Sequence, residues 1–293
     1  MADDILPFEK TRDANLSRRG FAALSLGVGA LGAGALAAGG ALADTQVVES
    51  DVTIKTPDGI CDAALFHPAG KGHWPGAIIF TDILGLRPAF RDMGRRLAAE
   101  GYTVLVPNPF YRTRKAPVLD GPFDFTKPED RAKLGPLTAP LNVDTRTRDV
   151  TAYLAFIDTL PMVKTKAKVG VSGYCMGGPF TLAAAAARPD RVGAGGSFHG
   201  GGLVSDKPDS PHLLVAKIKA SFYFGIANND DQRQPDAKDK LRAAFDAAHL
   251  PAKIEVYTDC QHGWCVSDGA VYNKPEAERA WGELKALYAK TLV

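Results

Sequence analysis

The stretch Lys168-Val169-Gly170-Val171-Ser172-Gly173-Tyr174-Cys175-Met176-Gly177-Gly178 decides the fold. Val169 to Ser172 is short and mostly apolar, which suits a buried strand. Phe180 to Ala187 is a helix-forming segment. Between strand and helix lies Gly-X-Cys-X-Gly. A turn this tight leaves no room for side chains at the glycines. It holds its central residue in a strained backbone conformation, above the sheet and just before a helix N-terminus. A thiol held there is placed as a nucleophile. The plain alternative is a tight turn in which Cys175 is a small packed hydrophobe.

The rest of the chain agrees with a strand-to-helix reading. Val47 to Lys55 and Ile60 to His67 read as a hairpin across Thr56-Pro57-Asp58-Gly59. Gly76 to Thr81, Thr103 to Val106, Arg191 to Ser197, Ser221 to Gly225 and Ala252 to Tyr257 read as further strands. Phe90 to Glu100, Asp144 to Leu160, Asp236 to His249 and Pro275 to Leu292 read as helices. Arg112 to Leu141 is rich in Pro, Gly and charge, an excursion of the kind that shapes a substrate pocket. Strand and helix alternate after the hairpin. The expected fold class is therefore α/β, a doubly wound and mostly parallel sheet with helices on both faces. Chemistry in such sheets sits at the carboxyl ends of the strands.

The N-terminal region reads differently. Ser17-Arg18-Arg19-Gly20-Phe21 precedes an uncharged tract of Ala, Gly and Leu, and Ala41-Leu42-Ala43 is a small-x-small cleavage signal. Residues 1–43 are expected to be a twin-arginine export signal, and 44–293 the catalytic domain. A retained membrane anchor is the alternative, disfavoured by the tract's glycine content. The implied partner is the twin-arginine export machinery. The implied location is periplasmic or secreted, with no stable membrane association after cleavage. Lys plus Arg number 35 against 33 Asp plus Glu, and no basic run suggests a nucleic-acid partner. The four cysteines, Cys61, Cys175, Cys260 and Cys265, form no CxxC pair and have no zinc-like spacing with histidine. No metal or cofactor is expected. A Cys260–Cys265 disulfide is left open, and a thiol-redox role for that pair is a competing reading.

A base and an acid should follow the nucleophile in the order nucleophile, acid, base. The strand ending at Gly225 leads into Ile226-Ala227-Asn228-Asn229-Asp230-Asp231, and the last strand into Thr258-Asp259-Cys260-Gln261-His262-Gly263. Asp230 is the candidate acid, with Asp231 the alternative, and His262 the candidate base. His199 follows another strand and is a rival base or a residue lining the site. Tyr174, beside the nucleophile, is read with His199 as contacting substrate. The strand ending at Phe80 leads into Thr81-Asp82-Ile83-Leu84. This is where the backbone amide of Ile83, with that of Met176, would form an oxyanion hole. Asp82 is read as the carboxylate that holds or receives the cysteine proton.

With these residues the chain resembles the dienelactone hydrolase family of α/β hydrolases. Gly173-Tyr174-Cys175-Met176-Gly177-Gly178 is similar to the family's Gly-Tyr-Cys-Leu-Gly-Gly, and the Cys, Asp, His order is the same. Pro107-Asn108-Pro109-Phe110-Tyr111-Arg112 is similar to a segment whose arginine binds a substrate carboxylate, which implies that role for Arg112. Asp82 stands where the family has glutamate, and Val266 where it has a second carboxylate-binding arginine. The resemblance implies a cysteine hydrolase of small esters or lactones, including carboxylate-bearing ones, with no cofactor. A non-catalytic periplasmic binding protein on the same fold is the alternative.

Overall fold

The computed structural model describes residues 46–292. The export-signal reading of residues 1–43 lies outside them. The chain opens with the hairpin β1 (Val47–Thr56) and β2 (Gly59–Pro68), followed by β3 (Gly76–Phe80), α1 (Pro88–Ala99) and β4 (Thr103–Pro107). The excursion contributes two short helices, α2 (Pro128–Ala132) and α3 (Leu134–Thr138), before α4 (Val143–Asp158). Then come β5 (Val169–Tyr174), α5 (Gly178–Ala187), β6 (Val192–Phe198), β7 (Ser221–Ala227), α6 (Asn228–Arg233), α7 (Ala237–Ala247), β8 (Ala252–Tyr257) and α8 (Lys274–Thr291).

The eight strands form one sheet in the order β1-β2-β4-β3-β5-β6-β7-β8. β2 pairs antiparallel with both its neighbours, and every other pairing is parallel. β3, β4 and β5 are buried along their whole length, as central strands covered on both faces must be. One apolar layer packs α4, α5 and α7 on the sheet, through Val150, Leu154, Phe180, Leu182 and Phe245. A second packs α1 and α8 on the opposite face, through Phe90, Leu97, Trp281, Leu284 and Tyr288. This is the doubly wound sheet that the strand-to-helix alternation implies.

The elbow is as tight as its glycines require. A Cβ on Gly173 would stand 2.1 Å from the Gly177 carbonyl oxygen, and one on Gly177 would stand 2.4 Å from that of Phe80. These contacts seat the turn against the end of β3, whose Phe80 pairs with Gly173. The nucleophile candidate therefore meets the loop that follows β3.

Candidate active site

Cys175 has φ +53°, a left-handed conformation that costs a non-glycine residue about 1–3 kcal/mol. Its carbonyl accepts the Gly201 amide at 3.0 Å, which fixes the strained turn. Cys175 is the one cysteine of the four that is not buried. Burial pushes Cys61 up to about 12 and Cys260 up to about 11, and raises Cys265 well above its usual value. Those three thiols are unreactive at neutral pH. Cys260 and Cys265 are both free, with no bridge between them.

The acid and the base come from neighbouring strand ends. Asn228 N–H donates to the Cys260 carbonyl at 2.9 Å, and His262 N–H donates to Asn229 Oδ1 at 2.9 Å. These bonds hold α6 against the loop after β8. His262 Nδ1 then donates to Asp230 Oδ2 at 2.6 Å, and Cys175 lies close enough to the ring to favour its charged form. Asp231 pairs with Lys238 at 2.7 Å instead, so Asp230 is the acid that faces the imidazole. Burial opposes charge on His262, but the Asp230 carboxylate and the neighbouring Cys175 outweigh it and push its pKa up to about 10. The ring is thereby poised as an imidazolium beside the thiol. The sequence reading passed over Asn229; an amide two residues past a strand end carries no signal of its partner 33 positions away.

Four expectations need correction. Tyr174 is the last residue of β5, and its side chain alternates to the α1/α8 face, stacking on Phe198 with 2 % of its surface exposed. It is not a substrate contact. His199 is 1 % exposed and stands edge-on to His262 and Trp264, with ring centroids 5.0 and 5.2 Å away. Burial, and then the neighbouring His262, pull its pKa well below the usual value. His199 is thus a neutral backing for His262, neither a substrate contact nor a rival base. Arg112 is committed: it donates to Asp149 at 2.7 and 2.8 Å and to Asp58 at 2.5 and 3.1 Å, and lies over the Tyr111 ring. Its guanidinium fixes the excursion to α4 and the first hairpin, leaving no free edge for a substrate carboxylate. Asp82 takes both of its principal contacts from Arg87, at 2.6 and 2.9 Å. That carboxylate is spent on an ion pair rather than on the cysteine proton.

Ile83 follows Asp82, and its amide makes no hydrogen bond to the described residues. Ile83, Leu84 and Met176 are partly buried against Phe110, Val118, Leu134 and Leu137. The excursion thus supplies an apolar wall beside the two expected oxyanion donors.

The dienelactone hydrolase family profile matches residues 61–292. The chain belongs to the dienelactone hydrolase family. Membership makes it a hydrolase of esters or lactones. A "Putative carboxymethylenebutenolidase" of Synechocystis is 28% identical over 231 residues, covering 78% of this chain and 91% of its own. A protein of the same name from Methylorubrum extorquens is 28% identical over 278 residues, covering 92% and 91%. Among solved structures, a "Putative Dienelactone Hydrolase" from Klebsiella pneumoniae superposes with a TM-score of 0.72 at 20% identity, over 83% of this chain and 99% of its own. That last likeness speaks for the α/β-hydrolase fold of this dienelactone hydrolase family member.

Proposed function

We propose that this hydrolase cleaves small, largely apolar esters or lactones through Cys175, His262 and Asp230, by way of a thioester. The observation that carries the reading is the bond from His262 to Asp230 at 2.6 Å, in a ring whose charged form is also favoured by its neighbour Cys175, the one unburied cysteine. With the cysteine proton held on His262, the thiolate attacks the carbonyl carbon, and the carbonyl oxygen becomes an oxyanion that accepts from the Ile83 and Met176 amides. Collapse of the adduct breaks the bond to the leaving alkoxide or enolate, which takes the proton from His262. Neutral His262 then takes a proton from water as the hydroxide adds to the thioester. The thiolate departs, the acid product leaves, and the imidazolium is restored. Asp230 holds the tautomer throughout and stabilises the cation. A non-catalytic binding role is not favoured, because it gives the half-exposed thiol and its histidine nothing to do.

The apolar wall and the committed Arg112 point to a neutral substrate. A hydrolysis screen over aryl esters and lactones tests this. Neutral aryl esters are expected to turn over at least as fast as analogues carrying a carboxylate. A strong preference for the anionic analogues would restore Arg112 as their receptor, and no turnover of any ester or lactone would end the hydrolase reading.

Export is proposed with it, on the support of Arg18-Arg19 and Ala41-Leu42-Ala43. Fractionation of cells is expected to find the protein outside the cytoplasm, shortened near Asp44. Replacing Arg18 and Arg19 by lysine is expected to retain it inside at full length; unchanged location of that variant would contradict the proposal.

A further inference from the structure

Arg87, at the start of α1, reaches two loops at once. Toward the loop after β3 it donates from Nη1 to Asp82 Oδ1 at 2.6 Å, from Nη2 to Asp82 Oδ2 at 2.9 Å and from Nη1 to the Gly85 carbonyl at 3.3 Å. Toward the loop after His262 it donates from Nε to Asp268 Oδ2 at 2.8 Å and from Nη2 to Asp268 Oδ1 at 3.0 Å. Both carboxylates are gripped by two nitrogens, the geometry that a planar guanidinium fits and an ammonium does not. The Arg87 and Asp82 side chains are 15% and 12% exposed, so this half of the pair is shielded from water, while Asp268 is 44% exposed.

What the grip holds is the oxyanion loop. Asp82 Oδ1 also accepts the Leu84 amide at 2.9 Å, and the Asp82 carbonyl accepts the Gly85 amide at 3.1 Å. The carboxylate and carbonyl of one residue thus close a turn around Ile83 and set the plane of its peptide. On the other side, Val266 N–H donates to the Gly263 carbonyl and Gly269 N–H to the Val266 carbonyl, at 3.1 and 3.0 Å. These successive turns lead from His262 to Asp268.

We propose that Arg87 is a positioning residue for the hydrolysis: its guanidinium straps the oxyanion loop to the loop that carries the base, and so aims the Ile83 amide at the developing oxyanion. The inference rests on the hydrolase reading above. Arg87 contacts no reacting atom. It acts through Asp82, which is a structural anchor of the oxyanion hole rather than a store for the thiol proton. An oxyanion donor contributes in the transition state more than in the bound substrate, so loosening it should lower kcat and spare KM.

The test compares Arg87→Gln, Arg87→Lys and Asp268→Asn on p-nitrophenyl acetate. Arg87→Gln is expected to lose on the order of 10- to 100-fold in kcat, with KM changed by no more than about twofold. Arg87→Lys should recover part of the loss, and Asp268→Asn should lose less than Arg87→Gln. Affinity for an aryl trifluoromethyl ketone, whose thiol adduct carries the oxyanion, should fall in parallel with kcat. The rate at which iodoacetamide alkylates Cys175 should stay unchanged, because alkylation uses no oxyanion hole. Amide hydrogen exchange should rise in both 82–87 and 263–269 in each variant. Should Arg87→Gln fail to fold, the half-exposed Asp268→Asn carries the same comparison. Unchanged kcat in folded variants, a loss confined to KM, or alkylation that changes in step with kcat would overturn the proposal. An inert wild-type enzyme would instead overturn the hydrolase reading, and the exchange data alone would then decide whether Arg87 couples the two loops.

Discussion

Cys175→Ala is expected to lower ester turnover by on the order of 10⁴-fold or more, with no loss of folded structure. The two halves of that expectation have separate causes. Activity falls because no other thiol can substitute: Cys61, Cys260 and Cys265 are buried, and burial raises the pKa of each. Stability holds because the Cys175 side chain stands partly buried at the elbow tip and belongs to neither apolar layer, so its truncation leaves no core cavity and is expected to cost about 1 kcal/mol or less. The strain at φ +53° belongs to the backbone, is fixed by the Gly201 bond to the Cys175 carbonyl, and is the same for alanine. A folded Cys175→Ala enzyme that kept a tenth of its turnover would place the chemistry elsewhere.

His262→Ala should lose on the order of 10³-fold or more, whereas His199→Phe should lose far less. His262 has a carboxylate on its ring and Cys175 near enough to favour its charge; His199 has no hydrogen-bond partner at either ring nitrogen and packs behind it. The pH behaviour follows from the same contacts. A histidine whose folded pKa is raised stabilises the protein fully below its unfolded value near 6.5. That contribution is lost as pH rises through about 10. Activity should fall over the same alkaline limb, as the imidazolium needed to protonate the leaving group disappears. Asp230→Asn removes a principal support of the raised value, so its limb should move to lower pH and its stability should depend less on alkaline pH. Denaturant unfolding at pH 6 and pH 10, with rate profiles for both enzymes, checks these statements. An alkaline limb unmoved by Asp230→Asn would mean that Asp230 is not the residue tuning His262.

The elbow was legible because its constraint is local: Gly173 and Gly177 are demanded by contacts within a few residues and with the adjoining strand. The positions of Asp230 and His262 were legible because a parallel sheet brings successive strand ends to one edge. Side-chain direction was not legible. Tyr174 and Cys175 are neighbours in sequence, yet the last residue of a strand points to one face while the turn lifts the next above the sheet edge. Charge partners were the least legible. Arg112 finds Asp149 37 positions away, and Arg87 finds Asp268 181 positions away. Such pairs depend on loop placement after folding, and a family pattern for one arginine does not reveal that another carboxylate has claimed it. Asp82 shows the same limit: its place in the loop was readable, its commitment to Arg87 was not.

In the proposed mechanism the acyl group passes through a thioester on Cys175. The enzyme is mixed with p-nitrophenyl acetate, quenched in acid within the first turnovers and digested with trypsin, and the peptide Val169 to Arg191 is read by mass spectrometry. The account predicts one acetyl group on Cys175, more of it in His262→Ala at long times because water attack is slowed, and none in Cys175→Ala. Turnover by the wild-type enzyme with acetyl on another residue, or on none under conditions where a burst of nitrophenol is seen, would contradict it.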